Sequence, residues 1–521
     1  MSTEPTTATP VSEQIGFGNR LKASWRARPL EQRAGISLGI LVAFAIGLLF
    51  IDHSLAYGVL VVSAIYWIRR LPQPTRMYAQ AALILLLVIL AAVWTTSWAL
   101  VALLAIGAAI TWIPNRFQGW AVPVILFVLT VMYPFYQDKM FVMPVFGVWP
   151  DVATGVYMVV FVMMAVGLNI VVGYAGLLDL GYVAFYATGA YTAALFTSLQ
   201  FSTVTWHLGA VGIDPKLPGI HITIWLLLLM AGAVTALFGI VIGLPTLRLR
   251  GDYLAIVTLG FGEIIYDVAR NSDNLFNTGF NLTNGPNGIT PLDSPGFGHT
   301  LSSWTGGFLP SNYLQCCNAN VLGHQVQSTD VFFWTAIVLL IFTIFCSLRL
   351  QYSRLGRAWI AIREDETAAA AMGIPLMRTK TWAYASGAFF GGIAGAYYAI
   401  FKSATFPGDF YFNISVFILC MVILGGMGNI WGVILGGAFL AYLNQEGLAN
   451  TGAWLNANIH VAGWRPSFDP SLYASGIYGV IILLVMLFRP EGFLPSRRIK
   501  AELHEGVHDE PLYDHTHGAE V

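Results

Sequence analysis

The chain has 521 residues, 56% of them hydrophobic and only 10% charged, with a formal net charge of −1. An ordinary soluble domain carries about 25% charged residues, so this chain lacks the polar surface that several soluble domains would need. The near-zero balance supplies no basic excess to neutralise nucleic acid phosphates, and the solvent left is a bilayer.

Residues 1–33 contain no apolar core and read as a polar tail without a cleavable signal peptide. From there to residue 489, runs of 15 to 26 mostly apolar residues recur. Only helices satisfy their own backbone groups in lipid, so each run is read as a helix. Predicted spans lie near 34–52, 55–68, 78–95, 97–113, 119–136, 152–172, 177–198, 221–246, 252–267, 331–348, 381–401, 413–427, 429–446 and 473–489. The second is short, and 173–198 and 424–446 have the composition of broken or re-entrant segments, so the count is 11 to 14. The fold class is an all-α polytopic membrane protein. The 53 Gly and 16 Trp suit it, being enriched in membrane helices and at membrane interfaces respectively.

Charge sets the orientation. Residues 1–33, 69–76, 114–118, 247–251, 349–380 and 489–521 fall on one side and hold 21 of the 26 Lys and Arg. The other side holds Lys139, Lys216, Arg270, Lys402 and Arg465. The Arg- and Lys-rich side is predicted to be cytoplasmic, with both termini inside.

The stretch 167–181 gathers Gly167, Gly173, Gly176 and Gly181 around Asn169 and Asp179. Glycine at that density predisposes a helix to break, and irregular backbone survives at membrane depth only when buried in protein or lining a cavity. Asp179 reads either as a candidate path residue or as a cap for the helix after it. Glu263 and Asp267, four apart near the outer end of a span, share a face; they could meet a substrate's amino group or simply reach water. The segment 268–330 is a long polar external loop carrying Pro286, Pro291, Pro295 and Pro310. Its Cys316–Cys317 pair, like Cys346 and Cys420 in apolar runs, forms no disulfide framework.

Residues 356–374, GRAWIAIREDETAAAAMGI, gather five charged side chains among 19, Arg357, Arg363, Glu364, Asp365 and Glu366, on the cytoplasmic side. Asp365 is placed to cap a short helix, with Glu366 in its first turn. Ala368 to Ala371 favour helix, and Gly373 and Pro375 end it. Two turns are unstable alone in water, so the element needs a support. A positive-inside loop requires only Lys and Arg; the added acids suit a docking surface. In SGAFFGGIAGAYY, Gly387, Gly391 and Gly395 recur every fourth residue and form a close-packing face, within the chain or against a partner. His504, His508, His515 and His517 sit in an acidic, Pro/Gly-containing tail that reads as solvated.

A P-loop needs a Gly-Lys pair. Lys22, Lys139, Lys216, Lys380, Lys402 and Lys500 all stand after other residues, so no Walker A motif is present.

GLNIVVGYAGLLDLGYVAFYATGAYTAALF at 167–196, LPTLRLRGDYLAIVTLGFGEII at 244–265 and TNGPNGI at 283–289 resemble the LivM-type permeases of branched-chain amino acid ATP-binding-cassette transporters. The resemblance continues through 356–374, VILGGMGNIWGVILGGAFLAY at 422–442 and FRPEGFLPS at 488–496. It implies an importer core at 150–490, accessory helices at 34–145, and cytoplasmic tails at 1–33 and 491–521. Expected partners are a second homologous permease, two cytoplasmic ATPases that use the ATP, a periplasmic substrate-binding protein and the lipid bilayer of a bacterial inner membrane. The chain itself is expected to be no enzyme and to bind no cofactor. The resemblance further implies that 356–374 is the ATPase coupling loop, with Gly356, Arg357, Trp359, Arg363, Glu364, Asp365, Glu366, Met372 and Gly373 as candidate residues. Here Glu366 precedes Gly373 by seven positions and no Ile-x-Leu-Pro comes after it, a departure from the importer EAA loop. Asn169, Gly173, Gly176, Asp179, Gly181 and Glu263 are the candidate path or broken-helix residues. Alternatives are a urea or short-chain amide permease, an ion-coupled secondary amino acid transporter, and a structural subunit of a membrane complex.

Overall fold

The computed structural model describes residues 124–139, 149–202, 204–209, 217–249, 252–274, 280–305, 310–313, 320–321, 324–458, 468–488 and 492–494. The predicted spans between 34 and 113, Cys316–Cys317 and the two tails (apart from 492–494) lie outside the described residues. The chain divides into two compact units, one of Met1–Val122, Lys139–Val148 and Ala457–Trp464, the other of Pro123–Asp138, Trp149–Asn456 and Arg465–Val521. The described residues belong to the second unit, apart from Lys139 and the last two residues of the helix ending at Asn458.

Helix α1 (Val152–Asn169) starts at Asp151, whose side chain accepts from the Thr154 amide at 2.6 Å. It is apolar all round and 89% of its most apolar window is buried, which makes it an interior helix rather than one facing lipid. Around it stand α2 (Val183–Phe196), α3 (Ile224–Thr246), α4 (Asp252–Asn271), α5 (Ser328–Tyr352) and, after two short helices α6 (Arg354–Glu364) and α7 (Glu366–Ala371), the long α8 (Leu376–Lys402). Then come α9 (Phe412–Gly425), α10 (Ile430–Tyr442), α11 (Leu448–Asn458) and α12 (Ala474–Phe488). Helix α8 packs on α1, α2 and α3, while α1 also packs on α5, α9 and α10.

Glycine sets the closeness of that core. A Cβ on Gly189 of α2 would collide with the backbone of Gly392 in α8, and one on Gly395 would collide with the Tyr186 carbonyl. Helices gain little from burying apolar surface away from lipid, so such backbone approach supplies the packing instead. The outer helices show the converse. Only 44% of the corresponding window is buried in α3 and α5, and their outward faces carry Leu237, Val241, Val338 and Phe345.

Two expectations need correction. The span predicted at 177–198 is helical only from Val183; residues 175–182 turn without helical structure. Residues 197–198, 205–208 and 219–222, expected to hold the end of one span, a loop and the start of the next span, form a small sheet instead. Strand β1 (Thr197–Ser198) pairs antiparallel with β3 (Gly219–Ile222), and β2 (Thr205–Leu208) pairs parallel with β3. Long-range bonds hold it. The Asp293 amide donates to Thr197 O at 2.9 Å, and the His221 ring lies 2.7 Å from the Asp293 carboxylate. Burial raises the Asp293 carboxyl from its ordinary value, and His221 opposes that rise.

Candidate coupling site and helix breaks

The chain leaves α1 through a π-turn, Ile170–Tyr174, rather than by a clean stop. Asn169, fully buried, accepts the Gly428 amide on Oδ1 at 2.9 Å; its Nδ2 has no hydrogen-bond partner. A Cβ on Gly173 would collide with the Asn169 side chain and lie 2.7 Å from the Gly428 nitrogen, so this position tolerates only glycine. Gly176 adopts φ +69°, which glycine reaches without strain.

The same glycines receive the charged hairpin. Arg363 Nη1 donates to the Gly173 carbonyl at 2.5 Å. A Cβ on Gly176 would sit 2.7 Å from Arg363 Cγ, so the arginine stem lies against that turn. Gly428 (φ +82°) belongs to the break between α9 and α10, which Asn429 completes by capping Trp431 N at 3.2 Å and donating to Leu494 O at 2.9 Å. Arg363 and Asn169 thus tie the hairpin, the end of α1 and the α9–α10 break together.

Helix α6 stands where the sequence predicts only loop, across 349–365. Ser353 caps it by accepting from Gly356 N at 3.1 Å, and a Cβ on Gly356 would collide with the carbonyls of Leu350 and Gln351. Gly356, Trp359 and Ile362 form its buried stripe, and Trp359 Nε1 donates to Thr379 O at 2.8 Å. Arg357 reaches back to Tyr352 O at 3.1 Å. Asp365 then caps α7, accepting from the amides of Thr367 at 2.7 Å and Ala368 at 3.0 Å. The Thr367 hydroxyl and these amides hold its carboxyl below the usual value. Gly373 ends α7 at φ +84°, with Ile374 N donating to Ala369 O. Lys380, whose side chain is only 5% exposed, donates to Glu366 Oε1 at 2.5 Å and anchors α7 to α8. The hairpin's outer surface presents Arg357, Glu364, Asp365 and Met372 to solvent.

The remaining candidates fall elsewhere. Asp179 is buried and accepts from Gly181 N at 2.9 Å, just ahead of α2, while its Oδ2 lacks a partner. A Cβ on Gly181 would collide with Thr258 O, and Thr258 also accepts from Leu180 N at 3.1 Å. Thr258 lies on the buried face of α4; Glu263 and Asp267 lie on its exposed face, so the structure does not bring Glu263 into the Asn169 cluster. Gly387 packs on Val171 and the Gly167 carbonyl, Gly391 on the Tyr182 hydroxyl and Gly395 on α2, all within the chain. Sequence reasoning missed Ser353, Lys380, Gly428 and Asn429; Ser353 and Asn429 do carry the N-cap residue types that mark a helix start.

Residues 152–486 match the family described as the branched-chain amino acid transport system permease component. The chain is 34% identical to the high-affinity branched-chain amino acid transport system permease protein LivM of Salmonella typhimurium, over 73% of this chain and 76% of that protein. It is also 34% identical to LivM of Escherichia coli, over 74% and 77%, respectively. A probable LivM of Methanocaldococcus jannaschii is 26% identical over 52% of this chain and 70% of that protein. No solved structure matches. With nearly two-thirds of its length matched, the chain belongs to the family of permease components of branched-chain amino acid transport systems.

Proposed function

We propose that this chain is a transmembrane permease subunit of an ATP-binding-cassette importer for branched-chain amino acids. It works with a second homologous permease, two cytoplasmic ATPases and a periplasmic substrate-binding protein, in a bacterial inner membrane with both termini cytoplasmic. The ATP is hydrolysed on the partners, because the chain has no Gly-Lys pair for a P-loop. The α6–α7 hairpin receives the ATPase motion, and alternating access results as the helices rock about a path shared with the second permease.

One observation carries this reading: Arg363, on the hairpin, hydrogen-bonds the π-turn that ends α1, at the point where Asn169 holds the α9–α10 break. A push on the hairpin is therefore delivered to the π-turn and to residues 175–182 after it, where the α-helical hydrogen-bond ladder is already broken. The relatives' names favour branched-chain amino acids over urea or short amides.

The test reconstitutes the chain in vesicles with and without its partner subunits and supplies radiolabelled leucine, isoleucine, urea and acetamide. Leucine uptake that needs both ATP and the partners is expected. Uptake by the chain alone under a proton or sodium gradient would replace the proposal with secondary transport. Uptake of urea or acetamide in place of leucine would move the chain to the amide importers.

A further inference from the structure

Along α8 lie two apolar hollows that share Trp382, one between α8, α5 and α6 with Ala236 of α3 at its edge, the other between α8 and α3. The larger, about 530 Å³, is walled by Phe345, Trp359, Phe389 and Trp382, with Arg349 on its lining. The smaller, about 370 Å³, lies against Ile240, Leu244 and Trp382, with Arg378 on its lining. Both volumes fall in the range of small-ligand sites. Leu244 lines the smaller hollow, and Leu237 and Val241 on the same helix are exposed apolar side chains of the kind that face lipid chains.

The two arginines mark a level. Arg349 is in the last turn of α5 and Arg378 in the first turn of α8, so both stand where the helices reach the α6–α7 hairpin. Both are exposed, and among the described residues neither joins an ion pair. Arg349 lies over the Phe345 ring at 5.3 Å, on the wall of the larger hollow. Basic pockets between membrane helices at the headgroup level bind anionic lipid headgroups. Two apolar troughs, one ridge between them and a cation on each match the chemistry of a two-chain phospholipid with a negative phosphodiester.

We propose that this groove binds one anionic phospholipid, its acyl chains in the hollows either side of Trp382 and its phosphate met by Arg349 and Arg378. The occupant then sits directly against Leu355 and Trp359 of α6, so lipid charge bears on the element that carries the coupling contacts.

The experiment incubates the full-length chain in mild detergent with equal amounts of phosphatidylglycerol and phosphatidylcholine and counts retained lipid by native mass spectrometry. Phosphatidylglycerol is expected to be retained preferentially. Arg349→Gln and Arg378→Gln should each lower the retained ratio by about five-fold, whereas Arg349→Lys keeps it. Ser386→Trp, which fills the larger hollow, should lower retention of both lipids. Separately, in a Cys316→Ser, Cys317→Ser, Cys420→Ala background, Cys346 on the wall of that hollow should react with a maleimide carried on an acyl chain. An unchanged lipid ratio in the double arginine variant overturns the proposal. So does cross-linking of Cys346 to a protein helix with the acyl maleimide excluded, which would assign the groove to a partner subunit.

Discussion

Replacing Arg363 by Ala removes the donor to the Gly173 carbonyl and the stem that lies against Gly176. A hydrogen bond from a charged donor contributes about 1.5–3 kcal/mol. If that bond persists as the hairpin moves, its loss changes the coupling equilibrium by roughly ten-fold to a hundred-fold. The helices themselves keep their packing, because α6 stays docked through Trp359 and α7 through Lys380. The expected phenotype is therefore uncoupling rather than misfolding. In the reconstituted complex, ATP hydrolysis should continue while leucine imported per ATP falls by at least ten-fold. Arg363→Lys keeps the stem and one donor and should recover part of the ratio. Gly176→Ala meets the same contact from the other side but also strains a backbone held at φ +69°, a cost that Arg363→Ala does not relieve, so it should lower stability as well as coupling. A wild-type import-to-hydrolysis ratio in Arg363→Ala would refute the proposed transmission through this contact.

The packing sets three further outcomes. Gly395→Ala gains about 1 kcal/mol of helix propensity but drives a Cβ into the Tyr186 carbonyl. Overpacking of about 1–3 kcal/mol wins, so thermal unfolding in detergent should shift downward. Glu366→Ala strands the buried Lys380 ammonium and should cost up to about 3 kcal/mol, whereas Lys380→Met replaces the stem with one of similar shape and should cost less; denaturant midpoints distinguish them. Asp365→Ala removes the α7 cap, so amide exchange across 366–371 should quicken. The folded carboxyl of Asp365 is held below its unfolded value, so its contribution is present above the ordinary value of 3.8 and is lost as pH falls through the lower folded value. Slow exchange in α7 should therefore persist at neutral pH and fade only under acid.

Among the described residues the predicted spans from 152 onward were legible as helices, apart from the start of 177–198, because bilayer burial demands long apolar runs. The breaks were legible because Gly167 to Gly181 and Gly425 to Gly428 crowd glycine where a helix would have to continue. The cap of α7 was equally legible, since Asp365 acts on amides two and three residues away. Helix α6 was hidden by its mixed composition, although Gly356, Trp359 and Ile362 recur every third residue as a helical face requires. The small sheet was hidden for a different reason: strands of two to four residues carry no periodic signal, and what holds β1 and β3 is a segment 72 to 96 positions away at Asp293.

The site divides along the same line. Each half of the proposed coupling contact could be read locally, the charged knuckle at 356–374 and the glycine-dense turn at 167–181. Their union could not, because Arg363 and Gly173 are 190 positions apart. Gly173 supplies both a carbonyl for the guanidinium and the absence of a Cβ where Asn169 and Gly428 meet. A side chain there would separate α1 from the α9–α10 break, and loss of Arg363 would leave the two joined but deaf to the hairpin. Substitutions at Gly173 should thus damage folding and transport together, while those at Arg363 damage transport alone. That difference separates a structural hinge from the lever proposed to move it.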